Sequence, residues 1–285
     1  MSNITWYVGL AVISLIFAVY AIFIKGHVYK TSTLLMFYLF SAAITWIGEF
    51  VVLGIFNSYA YKPGLFQDTW AQNLLGHLLL NSTMFPAAST FMVVHSFRYG
   101  FIALVSMIFV LAEYLFVKLG LYEQHWWRYY MSAINVIVFM LVTDKWFNKM
   151  NQQRSGKIRA TTFFFIALIV LHTPTPILLL LGKQHAEIGF INSLVGNFYR
   201  SSIIIAFTYH LIASLIFVIF VCVLKKWYWK LVPFIFSISV LSISAKMNIL
   251  IMDNGWKLSY TLLIQQILIA IFILLEKYTL KPYEH

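Results

Sequence analysis

The sequence has little charge for its length. Of its 285 residues only 10% are charged, whereas a soluble domain carries about 25%. Hydrophobic residues make up 61% of the chain, and the mean hydropathy is +0.84. No soluble core buries that much apolar surface. These proportions exclude a water-soluble globular protein and predict an integral membrane protein whose solvent is lipid.

Cysteine and acidic residues are also scarce. The single cysteine, Cys222, lies in an apolar run, so an intramolecular disulfide is excluded and the residue is interpreted as a small hydrophobe. Nine acidic residues face twenty basic ones, which gives a net charge of +11. In a membrane protein this excess is typical of cytoplasmic loops. No basic segment is interleaved with aromatics on a soluble domain, so nucleic-acid binding is excluded.

Long hydrophobic runs predict an all-α polytopic membrane protein with about nine transmembrane helices. The N-terminal run lacks a basic leader and a small-x-small cleavage site, which favours a retained first helix over a signal peptide. Pro174 and Pro176 are expected to break the sixth span, and Pro86 and Pro233 to bend the third and eighth. The polar segment 183–200 is expected to lie at the surface. The predicted spans are 4–24, 33–57, 70–94, 99–118, 127–146, 161–182, 201–224, 229–251 and 257–276.

The basic residues are distributed unevenly over the predicted loops. The positive-inside rule then predicts a plasma-membrane protein with its N-terminus outside and its C-terminus in the cytoplasm. The longest inner loop, residues 147–160, is basic and is expected to attract anionic lipid. Six basic residues fall on the outer side: Lys62, Lys118, Arg128, Lys183, Arg200 and Lys257. Thirteen fall on the inner side: Lys25, Lys30, Arg98, Lys145, Lys149, Arg154, Lys157, Arg159, Lys225, Lys226, Lys230, Lys277 and Lys281.

Three weak matches in the same order suggest an internal duplication. "FNSY" at 56–59 matches "INSL" at 191–194, "LLGHLLLNS" matches "FTYHLIASL", and "HWWRYYMS" matches "NGWKLSYT". The offsets are near 130 residues. They divide a single membrane domain, 1–285, into a first span and loop (1–30), repeat one (31–146), the inner loop (147–160) and repeat two (161–285). Each degenerate repeat has four helices, and an even number of spans returns the chain to the side on which it started. The two repeats are therefore predicted to be parallel.

The stretch "EYLFVKLGLYEQHWWRYY", followed by "INVIVFMLVTDKW", resembles a family of small multi-pass membrane proteins of spore-forming Firmicutes. The resemblance covers roughly residues 50–146 and is clearest at Glu113, Tyr114, Lys118, Leu119, Gly120 and Trp127. The second half departs from the pattern, because no glutamate corresponds to Glu113. The resemblance implies a bacterial membrane protein and supplies no reaction.

Six ionisable side chains lie in the predicted spans away from the span ends. Charges at that depth cost about 2.5–3.5 kcal/mol on insertion scales, so such residues tend to face protein or water. In the predicted topology nearly all lie in the outer half, which favours an outward-facing polar pocket. On the third span Asn73, His77 and Asn81 recur every four residues and form one polar stripe. The candidate pocket residues are Glu49, Asn73, His77, Asn81, Glu113, His172, His210 and Lys246.

Each candidate also has a structural interpretation. Glu113 has a local partner in Lys118 or a distant one in Lys246, and Lys246 alternatively reaches the headgroups. His172 alternatively satisfies carbonyls freed by the proline break, and His77 and His210 alternatively make interhelical hydrogen bonds. Glu49 has no local basic partner, so it most needs a functional explanation.

Three functions remain open from the sequence. The pocket and repeats favour binding or transport of a small polar ligand. The absence of a catalytic motif favours a non-catalytic accessory, assembly or sensor protein of the envelope or sporulation, with unknown protein partners. An intramembrane metal-dependent or acid/base enzyme is disfavoured, because neither H-E-x-x-H nor G-x-S-x-G occurs. No cofactor is predicted, the metal question stays open, and the lipid bilayer is the one certain partner.

Overall fold

In a computed structural model, the structure describes residues 2–24, 29–152, 156–224 and 226–280. The chain forms two compact units, Met1–Gln153 and Arg154–His285. Four predicted inner-loop residues lie outside the described ranges, namely Lys25, Arg154, Lys225 and Lys281.

The first unit consists of helices and one two-stranded ribbon. Its strands, β1 Tyr59–Tyr61 and β2 Tyr122–Gln124, pair antiparallel with Tyr61 opposite Tyr122. The first two helices continue into π-helical turns, Tyr20–Ile24 and Phe50–Ile55. The helices are α1 Asn3–Val19, α2 Thr31–Glu49, α3 Thr69–Leu80, α4 Met84–Val94, α5 Tyr99–Lys118 and α6 Tyr129–Gln152.

The second unit likewise consists of six helices and one two-stranded ribbon. Strands β3 Gln184–Ala186 and β4 Leu250–Met252 pair antiparallel. A π-helical turn, Ile219–Val223, and a 3-10 turn, Trp227–Leu231, connect two of the helices. The helices are α7 Gly156–His172, α8 Pro174–Leu180, α9 Gly189–Val195, α10 Phe198–Val218, α11 Val232–Lys246 and α12 Leu258–Tyr278.

Eight of the helices in the described ranges are long and apolar enough to cross a membrane. The third predicted span is not among them, because it is broken into α3 and α4 between Leu80 and Met84. Together with the absence of any closed sheet in the described part of the chain, these spans define an all-α polytopic membrane protein.

The broken pair α3–α4 carries the chain from one end of the first unit to the other. At one end, the Asn3 amide donates to the Lys62 carbonyl beside β1, 3.0 Å away. At the other end, the Tyr20 ring stacks on His95, just after α4, with centroids 6.2 Å apart. Helix α1 separates these contacts by roughly 25 Å at 1.5 Å per residue. The third predicted span therefore traverses the unit as two helices.

The helix boundaries differ from the predicted spans where charge and proline lie. Pro174 begins α8 after the break at Thr173, as expected for the sixth span. Pro233 lies in the first turn of α11, where proline fits without bending the helix. Helix α6 continues to Gln152, and α7 begins at Gly156, so most of the predicted inner loop 147–160 is helical. Hydropathy marks where lipid ends, and a helix does not have to end there.

The ribbon of the first unit is fixed by a recurring set of contacts. The Lys62 N–H donates to the Leu121 carbonyl at 2.9 Å and extends the strand pair. The Trp127 indole N–H donates to the Ser132 hydroxyl at 2.7 Å, which fixes the entry into α6. Gly120, with φ of +71°, ends α5 in the left-handed conformation that glycine adopts without cost.

The ribbon of the second unit has the same contacts at offsets of 125–129 residues. The Glu187 N–H donates to the Ile249 carbonyl at 2.8 Å. The Trp256 indole donates to the Thr261 hydroxyl at 2.9 Å. Asn248, with φ of +54°, ends α11 as Gly120 ends α5. Asparagine is the side chain that best tolerates this conformation after glycine.

Candidate functional site

The main functional candidate is a cavity of about 260 Å³ in the first unit. Its lining combines the two glutamates Glu49 and Glu113 with aromatic rings from the ribbon, Tyr59, Tyr61 and Tyr122. Most of the remaining lining consists of apolar side chains of α2, α4, α5 and α6, among them Ile44, Phe85, Phe109, Phe139 and Val142. The cavity thus has a polar end beneath the ribbon and an apolar end deeper in the helices.

Glu49 ends α2, just before the π-helical turn, and only one of its two oxygens is satisfied. Oε2 accepts a hydrogen bond of 2.5 Å from the Tyr59 hydroxyl. Oε1 is buried, lies 4.0 Å from Nδ1 of His77 and has no hydrogen-bond partner among the described residues. A buried carboxylate oxygen without a partner is costly. Glu49, a lining residue of the cavity, therefore has unused acceptor capacity.

The predicted stripe of α3 supports this end of the cavity. Asn73, His77 and Asn81 are all buried. The Asn73 side chain accepts from the Tyr61 N–H at 2.7 Å, which anchors the ribbon on α3. The Asn81 amide lies 3.2 Å from both the Tyr61 hydroxyl and Nδ1 of His77. Asn81 lines the cavity and Asn73 and His77 stand behind it.

The tyrosines of the ribbon are held in their neutral form. Burial, and after it the nearby Glu49 charge, raise the pKa of Tyr59 and Tyr61 well above the usual tyrosine value. Burial likewise raises the pKa of Tyr122. All three lie in strands outside the membrane-spanning helices. The hydroxyls therefore stay protonated, and Tyr59 stays a donor to Glu49.

Glu113 lies at the other side of the polar end. Its Oε1 accepts a hydrogen bond of 2.7 Å from the side-chain amide of Gln124 in β2. The expected local partner, Lys118, instead places its ammonium over the Tyr114 ring, 5.7 Å from the centroid. Glu113 therefore links α5 to the ribbon.

A smaller cavity, about 100 Å³, lies in the second unit beneath its own ribbon. His210 lines it, and Nδ1 of His210 is 3.1 Å from Nδ1 of His172 and 2.7 Å from the Ala206 carbonyl. The Ala206 carbonyl requires the proton of His210 on Nδ1, so Nε2 accepts from the Gln265 amide at 3.1 Å. This hydrogen-bond pattern is compatible with a neutral ring for both histidines. His172 of α7 thus makes an interhelical hydrogen bond with His210 of α10.

Lys246 stands apart from either cavity lining. It is the last residue of α11 and is exposed, which fits the expected reach towards the headgroups. Within the described ranges no group of three or more His, Cys, Asp or Glu side chains is placed to hold a metal ion.

One buried cluster of charged residues was not predicted from the sequence, because its basic members were assigned to the inner loops. Glu276, 7% exposed in α12, receives the Arg159 guanidinium at 2.6 Å and the Lys230 ammonium at 2.7 Å. Arg159 also donates to the carbonyls of Glu276 and Leu280. The cluster holds α7, α12 and the 3-10 turn together. In the sequence these three charged residues lie far apart, each near the end of a predicted span, so their contact could not be predicted.

The fold thus defines a polytopic membrane protein, and each unit contains a cavity lined by both polar and apolar side chains. Comparison with family models, curated proteins and solved structures finds no match to this chain.

Proposed function

We propose that the protein binds a small organic cation in the cavity of the first unit and carries it across the membrane. The observation behind this proposal is the Glu49 carboxylate in the cavity lining, whose buried Oε1 has no hydrogen-bond partner among the described residues. A cationic ligand would supply the missing charge and hydrogen bond.

The rest of the lining supports a cation over an anion. It contains two carboxylates and no lysine or arginine among the described lining residues. The faces of Tyr59, Tyr61, Tyr122 and Trp127 also attract cations through their ring quadrupoles. At about 260 Å³ the cavity lies just below the usual range of small-molecule pockets, roughly 300–1,000 Å³. The ligand is therefore smaller than a drug-sized molecule.

Carriage across the membrane is supported by the helix breaks beside both cavities. Helices α3 and α4 are interrupted at Asn81 and helices α7 and α8 at Thr173, as helices often are at transporter sites. We also infer that the two units are copies of one duplicated four-helix unit, with α1 added in front. The matching ribbon contacts, and polar pairs that join Glu49 to His77 and His172 to His210, support this.

The binding test uses butylammonium chloride as the probe, with butanol and butyrate as neutral and anionic controls. Isothermal titration of purified protein should show binding of the ammonium alone. Losing one member of a buried charge pair costs about 2–5 kcal/mol, so Glu49→Gln should weaken binding by about 30-fold or more. The exposed Glu123→Gln is the matched control and should bind as the wild type does. Equal binding of butanol, or an unaffected Glu49→Gln variant, overturns the proposal.

Transport is tested by uptake of labelled butylammonium into proteoliposomes. Uptake that Glu49→Gln abolishes supports a carrier. Glu49-dependent binding without uptake assigns a sensor or accessory role instead.

We propose a bacterial plasma-membrane location, with the N-terminus and the ribbon of the first unit outside and the C-terminus in the cytoplasm. The charge bias of the loops supports it, and so does the contact that places Asn3 beside Lys62. In a Cys222→Ser background, an impermeant thiol reagent added to whole cells should label Gln67→Cys. It should label Lys157→Cys only after lysis. The reverse pattern contradicts the orientation.

A further inference from the structure

Helices α2 and α6 touch at one end and separate at the other. Away from the ribbon, the Phe40 ring stacks on Trp146 with centroids 5.3 Å apart. Phe37 and Phe147 meet edge to face at 5.0 Å. Towards the ribbon both helices line the cavity instead, α2 through Thr45 and Glu49 among others. The pair therefore forms a slot that is closed by aromatic rings at its deep end.

The edges of this slot line the cavity and are exposed at the same time. On α6 the edge is formed by Asn135, Val138 and Val142, which recur at helical spacing, and Val138 is 52% exposed. On α2 the facing edge is Gly48, also exposed and also a lining residue. A residue that lines a cavity and is exposed marks its opening. Both helices are membrane-spanning candidates, so this opening lies at the depth of lipid.

The ribbon blocks access to the cavity from the aqueous side. Tyr59, Tyr61 and Tyr122 are each less than 9% exposed and pack with Tyr7, Leu121 and Phe116 in one cluster. The Tyr7 hydroxyl also bonds to the Leu121 carbonyl beneath the strands. A ligand in water therefore meets a packed aromatic lid, whereas a ligand in the bilayer meets a slot.

We propose that the cation is a single-chain alkylammonium amphiphile that enters from the bilayer between α2 and α6. Its ammonium binds at Glu49, and its chain lies in the slot beside Gly48 and Val138. This inference rests on the proposed function and adds the route and the class of substrate. The two carboxylates at the polar end and the apolar residues at the deep end match the two halves of such a molecule.

Gly48 allows a direct test of the route. A Cβ placed there meets no atom within 4 Å, so a larger side chain fits and occupies the opening. We would measure binding of labelled dodecylammonium to protein in lipid nanodiscs. Gly48→Trp should slow association at least tenfold. Leu104→Trp, on an exposed face of α5 outside the cavity, is the control and should leave the rate unchanged.

A second variant, Val138→Trp, narrows the slot from α6 and should act like Gly48→Trp if the latter fails to fold. Association at the wild-type rate in a folded slot variant, with binding still lost in Glu49→Gln, would show entry from water and overturn only this inference. Dodecylammonium binding that is insensitive to Glu49→Gln would remove the proposed function as well.

Discussion

The Tyr59 hydroxyl donates a 2.5 Å hydrogen bond to Oε2 of Glu49, and this bond joins a ribbon strand to the end of a membrane-spanning helix. It holds the carboxylate in one orientation, in which Oε1 has no hydrogen-bond partner among the described residues. The site is therefore preorganised before any ligand arrives.

Removal of this bond is expected to weaken both the fold and the site. Tyr59→Phe removes the hydrogen bond to Oε2 of the buried Glu49 carboxylate, which costs about 1–3 kcal/mol. The midpoint of thermal unfolding in detergent should fall accordingly. Butylammonium should recover part of the loss. Tyr114→Phe, at an exposed tyrosine of α5, should leave the midpoint unchanged. A Tyr59→Phe variant as stable as the wild type contradicts the role given to this bond.

Gly76 is expected to tolerate no side chain. A Cβ at this position would lie 2.5 Å from Cβ of Tyr61, so α3 and β1 must separate. Overpacking of this kind costs about 1–3 kcal/mol, and Gly76→Ala should lower the unfolding midpoint. Gly100→Ala is the matched control, since nothing lies within 4 Å of its Cβ. That change should be neutral or mildly stabilising, because alanine favours helix over glycine. A harmless Gly76→Ala would show that the ribbon does not pack closely on α3.

The Glu276 cluster is expected to dominate the stability of the second unit. Glu276→Ala leaves Arg159 and Lys230 without their carboxylate, and breaking a buried ion pair costs about 3–5 kcal/mol. The exposed pair of Lys62 with Glu123 is the comparison, and Glu123→Ala should cost at most about 1 kcal/mol. Chemical unfolding monitored by circular dichroism measures both. If both variants lowered the free energy of unfolding by the same amount, Glu276 would have to be accessible to water.

The ribbon tyrosines are expected to titrate late. Because burial raises the pKa of Tyr59, Tyr61 and Tyr122 well above 10, the folded state retains protons that the unfolded state loses. Their contribution to stability is full below about pH 10 and falls as the pH rises towards the raised pKa values. Absorbance at 295 nm should show a fraction of the seventeen tyrosines ionising only on unfolding. Tyr122→Phe should reduce that fraction, and an unchanged titration would contradict the burial of this ring.

Hydropathy predicts the long helices well, because a run of about twenty apolar residues has few alternatives in lipid. It does not predict the ribbons, because strands of three residues carry almost no periodicity. Nor does it predict the break between Leu80 and Met84. The sequence offered only Pro86 as a cause, and the helix stops at Asn81–Thr83, before that proline.

The site was partly visible in the sequence. The stripe of Asn73, His77 and Asn81 follows from helical spacing alone. The meeting of Glu49 with Tyr59, or of His172 with His210, depends on which helices become neighbours, and a single sequence does not specify that. Tyr59 and Tyr61 were overlooked for a related reason. Hydropathy assigns both residues to a loop between predicted spans. In the structure the ribbon places that loop over the cavity.

The break between α3 and α4 is braced from the side by α2. Thr45 of α2 donates to the Asn81 carbonyl at 2.9 Å, and Tyr38 donates to the Ser82 carbonyl at 2.9 Å. Two carbonyls that an unbroken helix would use internally are thus tied to the helix that carries Glu49. The interruption between α3 and α4 is therefore anchored to the helix that carries the candidate ligand-binding carboxylate, and not only to its own two helices.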